Sequence, residues 1–492
     1  MKPMTKFAHK SVHKPVLTLL AAALLSACSM APTYQRPAAP VAAEYTMDSA
    51  GAAAKTGFAT TLAGPGQKDA VDTGWRDYFS DPRLRQLIAA ALDNNRDLRT
   101  AALRIEEARA QYDIQSADRL PNLGASAALT KAKTPAFLSP TGQTTIGKRY
   151  DAGLAISSFE LDFFGRVKSL NDAALAAYLA TDEARQAAQI ALVAQVAQAY
   201  YTERAYAEQY TLAQQTYEAR ARTYKLTQQR AEVGASSRLD LRSNETLMET
   251  ARASALALAR QRAQADNALT LLVGQPSSQA VAGAAAGVMP SDQQIDLLSA
   301  VPTGLPSDLL ARRPDIRAAE QRLKSANANI GAARAAFFPR ISLTAALGSS
   351  SPSLGGLFDG GSGSWSFAPQ LTLPIFDAGR NRANLSLSEV RKNLAVADYE
   401  KTIQAAFREV ADALAARDYL GEQVAAQRAV QDAQADRLKL LQLRFDNGVA
   451  SSLDVLDAQR ELFSAQQSLV QARLLRTTSA IDLYRSLGGG LK

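Results

Sequence analysis

The chain has 492 residues, of which 47% are hydrophobic and 7% aromatic, and it carries a formal charge of +8. That apolar content excludes a disordered chain, and stretches dominated by Ala, Gln, Arg, Glu and Leu favour helix. The length accommodates a few ordinary domains or one large elongated assembly.

Residues 1–27 have the layout of an export signal: Lys2, Lys6, Lys10 and Lys14 form a basic start, and Val16 to Leu25 an apolar core too short to span a membrane. The segment ends Leu25-Ser26-Ala27-Cys28, which looks like a bacterial lipoprotein signal cut before a cysteine that takes diacylglycerol. A plain secretory signal beside an incidental cysteine is the alternative. In lipoproteins an aspartate after the cysteine favours the inner membrane; Ser29 stands there, so the resemblance implies transit to the outer membrane.

Loss of those residues removes four lysines, and the formal charge falls from +8 to +4. The basic balance therefore points to no nucleic-acid partner. His9 and His13 also leave, and Cys28 is the only cysteine. The mature chain thus lacks the usual zinc ligands and the usual general base. The sequence predicts no enzyme, no metal and no cofactor beyond the covalent lipid on Cys28. No later segment has the continuous apolar run of a spanning helix, so any membrane crossing requires β-strands in a closed barrel.

The second half repeats the first. Asn95-Arg96-Asp97-Leu98-Arg99 matches Arg313-Pro314-Asp315-Ile316-Arg317 at an offset of 218; Gly165, Gly234 and Gly274 match Gly379, Gly448 and Gly488 at 214. Each copy reads helix, two strands, very long helix, sharp turn, helix. The expected division is a 28–80 N-terminal segment, a first repeat over 81–274 with a hairpin at 121–164, and a 275–306 linker. A second repeat over 307–488 has a hairpin at 339–378, and 489–492 is a tail.

The strands rest on period-two alternation. Leu123, Ala125, Ala127 and Leu129 share one face; Ile341, Leu343, Ala345 and Leu347 do the same; Trp365, Phe367, Pro369 and Leu371 continue through Leu373 to Ile375. Near Tyr150 to Phe163, Leu154 and Ile156 fall out of phase with Phe159 and Leu161, which predicts a bulge. Two soluble hairpins packed on a helical domain would also fit this pattern.

From Gly379 to Asn447 only Gly421 interrupts a helical pattern, with Val396, Ile403, Val410, Val424, Leu438 and Phe445 in one heptad register. The matching helix from Gly165 to Glu232 would be roughly 100 Å long at about 1.5 Å per residue. Each long helix ends at a glycine, Gly234 or Gly448, and restarts at Ser237 or Ser451 with an aspartate, Asp240 or Asp454, at capping-box spacing.

Four strands cannot close a membrane barrel, two copies would give one filled by side chains, and an open pore needs at least three copies. The predicted fold class is therefore mixed α and transmembrane β.

Six segments in this order carry a family resemblance. They are Cys28 with Ala31-Pro32-Thr33-Tyr34-Gln35-Arg36-Pro37, Phe159 to Arg166, Leu310 to Ile316, Phe338-Pro339-Arg340-Ile341, Pro374 to Arg380, and Leu456-Asp457-Ala458-Gln459-Arg460. Over nearly all of the mature chain it resembles outer-membrane factors of the TolC type, in the NodT-like lipoprotein branch. The resemblance implies a homotrimer with a twelve-stranded barrel continuous with a twelve-helix tunnel. It also implies a periplasmic adaptor, an inner-membrane resistance-nodulation-division transporter, and small-molecule export from the outer membrane.

By motif match, Leu453, Asp457 and Arg460 fall at a periplasmic gate, with Asp240 and Asp454 nearby. The alternative is that these aspartates only favour helix N-termini. The adaptor would meet the tips at Gly234, Ser236, Ser237, Gly448, Ser451 and Ser452. A duct for protein secretion and a structural coiled-coil protein of the envelope are the rival readings. The lipoprotein signal weighs against the first and the duplicated hairpins against the second.

Overall fold

The structure is a computed structural model that describes residues 30–41, 70–281, 289–291, 294–295, 298 and 306–491. The signal 1–27 and the lipid site Cys28 lie outside the described residues, as do parts of the 28–80 and 275–306 segments. The main elements are α1 (Pro82–Asn94), α2 (Arg96–Ala117), β1 (Leu123–Thr134), β2 (Thr145–Leu161), α3 (Arg166–Glu232), α4 (Arg238–Val273), α5 (Pro306–Arg312), α6 (Pro314–Ala335), β3 (Arg340–Ser351), β4 (Gly363–Thr372), α7 (Arg380–Asp446) and α8 (Ser452–Ser486). They group into two compact units that cut across the repeats: the described residues within 30–38, 105–181 and 319–399 form one, and those within 39–104, 182–318 and 400–491 the other.

In the first unit the strands form one antiparallel sheet in the order β1-β2-β3-β4. Gly165 (φ 71°) and Gly379 (φ 87°) adopt the left-handed backbone that turns a strand's end into a helix. The strand β4 stops at Thr372, short of the Ile375 that alternation reached. Pro374 lacks the N–H that a ladder needs, so Leu373 and Ile375 leave the sheet.

The N-terminal strap of this unit lies on α6. Arg36 donates from Nε and Nη2 to Glu320 at 3.2 and 2.7 Å, and the Tyr34 hydroxyl donates to Oε1 of the same carboxylate at 3.1 Å. Burial alone would raise the Glu320 pKa; the bonds from Arg36 and the charge of Lys324 outweigh it and hold the carboxyl below its ordinary range. Gly331 makes room for the strap: a Cβ there would lie 2.7 Å from Ala31 N. The Tyr34 and Arg36 of the sequence motif therefore serve a docking role.

In the second unit the helices pack as two hairpins, α3 with α4 and α7 with α8. Gln467 on α8 donates to the Gln209 carbonyl on α3 at 3.2 Å, joining the hairpins. The heptad seam of α7 is buried at Ile403, Val410 and Val424, while Val396 and Leu438 are half-buried and Phe445 is exposed. Tyr78 stacks on Tyr484 with ring centroids 3.8 Å apart and donates its hydroxyl to the Ala480 carbonyl at 2.9 Å.

Each repeat ends in the same latch. Gly274 (φ 76°) and Gly488 (φ 86°) terminate α4 and follow α8 respectively. Asn95 donates to the Leu272 carbonyl at 2.8 Å, and Arg313 donates to the Ser486 carbonyl at 3.0 Å. These are equivalent positions in the two copies, so an amide and a guanidinium satisfy the same orphaned helix carbonyl. Arg313 also bonds Asp315 at 2.6 Å and Glu409 at 3.0 Å. Replacing Arg313 by Ala is expected to destabilise the fold by about 1–3 kcal/mol, chiefly through the stranded Ser486 carbonyl. A lowered melting temperature checks this, and Arg313→Lys should recover only part of the loss because it keeps the charge without the fork.

Candidate functional site

Register fixes what each sheet face presents. Leu123 pairs with Ile156, Ile156 with Ala345, and Ala345 with Phe367; Ala125 leads in the same way through Leu154 and Leu347 to Trp365. Below these rows Phe159 pairs with Leu343 and Leu343 with Pro369, then Leu161 with Ile341 and Ile341 with Leu371. Every residue in these rows is apolar and together they make one face.

That continuity depends on the bulge. Between Ile156 and Phe159 the register slips by one residue, and Ser158 takes φ 54° with its N–H on Thr344 Oγ1 at 3.3 Å. Were the same sequence to run as a regular strand without the bulge, Phe159 and Leu161 would point to the opposite side from Leu154 and Ile156. The predicted phase break is thus a device that keeps one face apolar.

The other face is polar. Arg149 donates to Asp151 at 2.7 Å and to Ser350 at 3.0 Å. At its base Glu160 receives Arg166 at 2.7 Å and Arg340 at 2.5 Å. Gly153 and Gly348 pair directly across β2 and β3 on this face. A Cβ at Gly153 would lie 2.7 Å from the Gly348 Cα, and one at Gly348 would lie 2.2 Å from the Ala152 carbonyl oxygen. Backbones this close leave no room for a side chain at either position. Among the described residues the outer edges of β1 and β4 have no strand partner.

The helical tips lie in the second unit. Gly234 (φ 80°) and Gly448 (φ 73°) end α3 and α7; Ala235 N–H returns to the Arg230 carbonyl at 2.7 Å and Val449 N–H to Arg444 at 2.8 Å. Nothing crowds either glycine, so left-handed backbone alone demands it. Ser237 caps α4 by accepting Asp240 N–H at 3.0 Å. At α8 the box is complete: Ser451 accepts Asp454 N–H at 3.2 Å, and Asp454 accepts Ser451 N–H at 3.0 Å. The Ser451 hydroxyl also donates to the Asp454 carboxyl at 2.8 Å, and that bond with the backbone one holds the carboxyl below its ordinary range. Ser236 is half-buried, whereas Ser452 is exposed.

The structure brings Asp457 and Arg460 together, with Arg460 Nη2 2.5 Å from Asp457 Oδ1. It adds Arg437 on α7, whose Nη2 is 3.7 Å from the other oxygen of Asp457. Leu453 is 71% exposed one turn earlier. A groove of about 830 Å³ runs beside them, lined by Arg437, Leu440, Arg444, Asp454 and Asp457 among others. Asp240 and Asp454 engage their caps and are not joined to this cluster by any ion pair among the described residues. Sequence reasoning also missed Arg220 on α3, which is buried and donates to the Leu247 carbonyl at 3.0 Å. Burial, then the charge of Arg460, lowers its pKa.

The two-faced sheet with open edges is joined in sequence to the long helical hairpins. Comparison with known proteins gives the family. The model of the outer membrane efflux protein family matches residues 87–275 and 305–489. The chain is 50% identical over 476 residues to outer membrane protein OprJ of Pseudomonas aeruginosa, covering 96% of this chain and 95% of that one. It is 47% identical over 478 residues to the toluene efflux pump outer membrane protein TtgC of Pseudomonas putida, covering 97% and 96%. Among solved structures, the open state of the Neisseria gonorrhoeae MtrE outer membrane channel matches with TM-score 0.80 and 41% identity over 94% of this chain and 99% of that one. The chain belongs to the outer membrane efflux protein family. It is an outer-membrane channel component of an efflux pump.

Proposed function

We propose that three copies join edge to edge, β4 of one to β1 of the next, into a twelve-stranded barrel with its polar face around a wet lumen. The observation that carries this is the combination of two unpartnered strand edges with one face that is apolar from the Leu161 row to the Leu154 row. Open edges are not tolerated in lipid, and among the described residues no helix is long and apolar enough to cross a membrane. The helical hairpins of the two repeats, 81–274 and 307–488, then form a twelve-helix tunnel in the periplasm.

In this reading the trimer is the exit duct of a tripartite pump, working with a periplasmic adaptor and a resistance-nodulation-division transporter. The cargo is small apolar or amphipathic molecules, drugs and solvents among them; the name of TtgC specifies toluene for that relative. Cys28 carries the lipid that tethers each chain to the outer membrane. Gly234, Ser236, Ser237, Gly448, Ser451 and Ser452 meet the adaptor. Threefold symmetry turns Leu453, Asp457 and Arg460 into rings that obstruct solutes at rest, with Asp240 and Asp454 contributing nearby carboxylates.

Native mass and planar-bilayer conductance of the detergent-solubilised protein test the assembly. A trimer that opens pores is expected; a monomer without conductance overturns it.

A further inference from the structure

The apolar face of the sheet does not end at a loop. It ends at lysines. Above Leu129, which pairs with Tyr150, the next row on the same face is Lys131 opposite Lys148, and the row beyond is Lys133 opposite Ile146. All three lysines are exposed and none has an ion pair among the described residues. Arg149, one residue from Lys148, points to the polar face and is taken by Asp151.

This placement is electrostatically unfavourable in isolation. Like charges directly opposite on antiparallel strands repel. Among the described residues no carboxylate on the apolar face relieves them: Asp151 and Glu160 both belong to the polar face. Asp359, in the loop between β3 and β4, is the one other carboxylate toward that end of the sheet. A neighbouring copy could therefore offer little else.

Position supplies the missing anion. From Leu161 at the helix-proximal end to Tyr150, β2 climbs roughly 25 Å along the barrel axis at about 3.3 Å per residue and the usual strand tilt. That is the height of a barrel's lipid-facing band. Lys131 and Lys148 sit one row above it, on the side away from the helices, where the headgroups of the outer leaflet lie.

We propose that Lys131, Lys133 and Lys148 form a binding site on the outside of the barrel for the phosphate groups of an outer-leaflet glycolipid. The inference rests on the barrel orientation given above. The acyl chains would lie along the apolar rows below, beside Leu129 and Leu154, while the phosphates bridge the opposed lysines. Threefold symmetry repeats the site in each copy, so one site per protomer and three per trimer are expected.

The test uses the full-length assembled protein extracted in mild detergent. The triple variant K131Q/K133Q/K148Q should retain at least about fivefold less bisphosphorylated lipid A than wild type, measured by native mass spectrometry. The triple arginine variant should retain wild-type levels, wild type should release the lipid as salt rises, and neither dephosphorylated lipid A nor inorganic phosphate alone should bind comparably. Equal retention by the glutamine variant in an intact trimer, or equal binding of dephosphorylated lipid by wild type, overturns the site. A wild-type protein that never enters a membrane overturns the barrel as well, which separates the two failures.

Discussion

Asp457→Ala combined with Arg460→Ala should raise the resting conductance of the channel several-fold in planar bilayers. Arg460 closes on Asp457 within one helical turn, and Arg437 reaches the same carboxylate from α7. The carboxylate thus ties the first turns of α8 to the last turns of α7. Each contact is partly exposed and worth roughly 0–1 kcal/mol, so the double variant should still fold and assemble. Its melting temperature should match wild type while its conductance does not. The proposed trimer repeats the link three times, and small increments then bias one opening event. The Arg437→Ala variant should move conductance in the same direction by a smaller factor, since its contact is longer. Conductance and antibiotic sensitivity both unchanged in the double variant would remove the gate from these residues.

Gly348→Val should abolish the assembled channel. Valine is favoured in strands, so propensity alone predicts a gain. Sterics predict the reverse, because the first atom of any side chain falls 2.2 Å from the Ala152 carbonyl oxygen and 2.6 Å from the Gly153 Cα. Backbone cannot yield as a flexible side chain does, so β2 and β3 must part where they now pair. Gly153→Val should behave alike, with its Cβ 2.5 Å from the Leu347 carbonyl oxygen. Gly124→Ala is the control: its Cβ meets nothing closer than 4.0 Å. Heat-stable oligomer on mild electrophoresis should vanish for the two valine variants and persist for the control. A wild-type oligomer yield from Gly348→Val would show that this close approach is dispensable.

Local pattern made much of this legible. Alternation located the strands, and the phase conflict between Ile156 and Phe159 announced the bulge, because side-chain parity is a local property. The glycine-then-serine spacing announced the tips for the same reason. Pro374 could have corrected the overlong fourth strand, and the run of apolar residues beyond it was given too much weight. What escaped was contact across elements. The Arg437–Asp457 pair joins residues from opposite arms of a hairpin, and no periodicity marks it. The latches escaped differently: Asn95 and Arg313 matched as repeat positions, yet their shared task of holding Leu272 and Ser486 carbonyls needs the fold to be seen. The burial of Arg220 was equally invisible, since arginine on a long helix ordinarily faces water.

The bulge at Ser158 also imposes a rule on how this gene can change. The strand β2 is two segments of opposite parity spliced by one surplus residue. Lengthening the 135–144 turn adds nothing to either segment and leaves both faces intact. Deleting the surplus residue at the splice would leave a regular strand, with Phe159 and Leu161 still on the side of Leu154 and Ile156. Length changes should therefore accumulate in the turn, and at the splice the loss of the single surplus residue is the change that keeps both faces as they are.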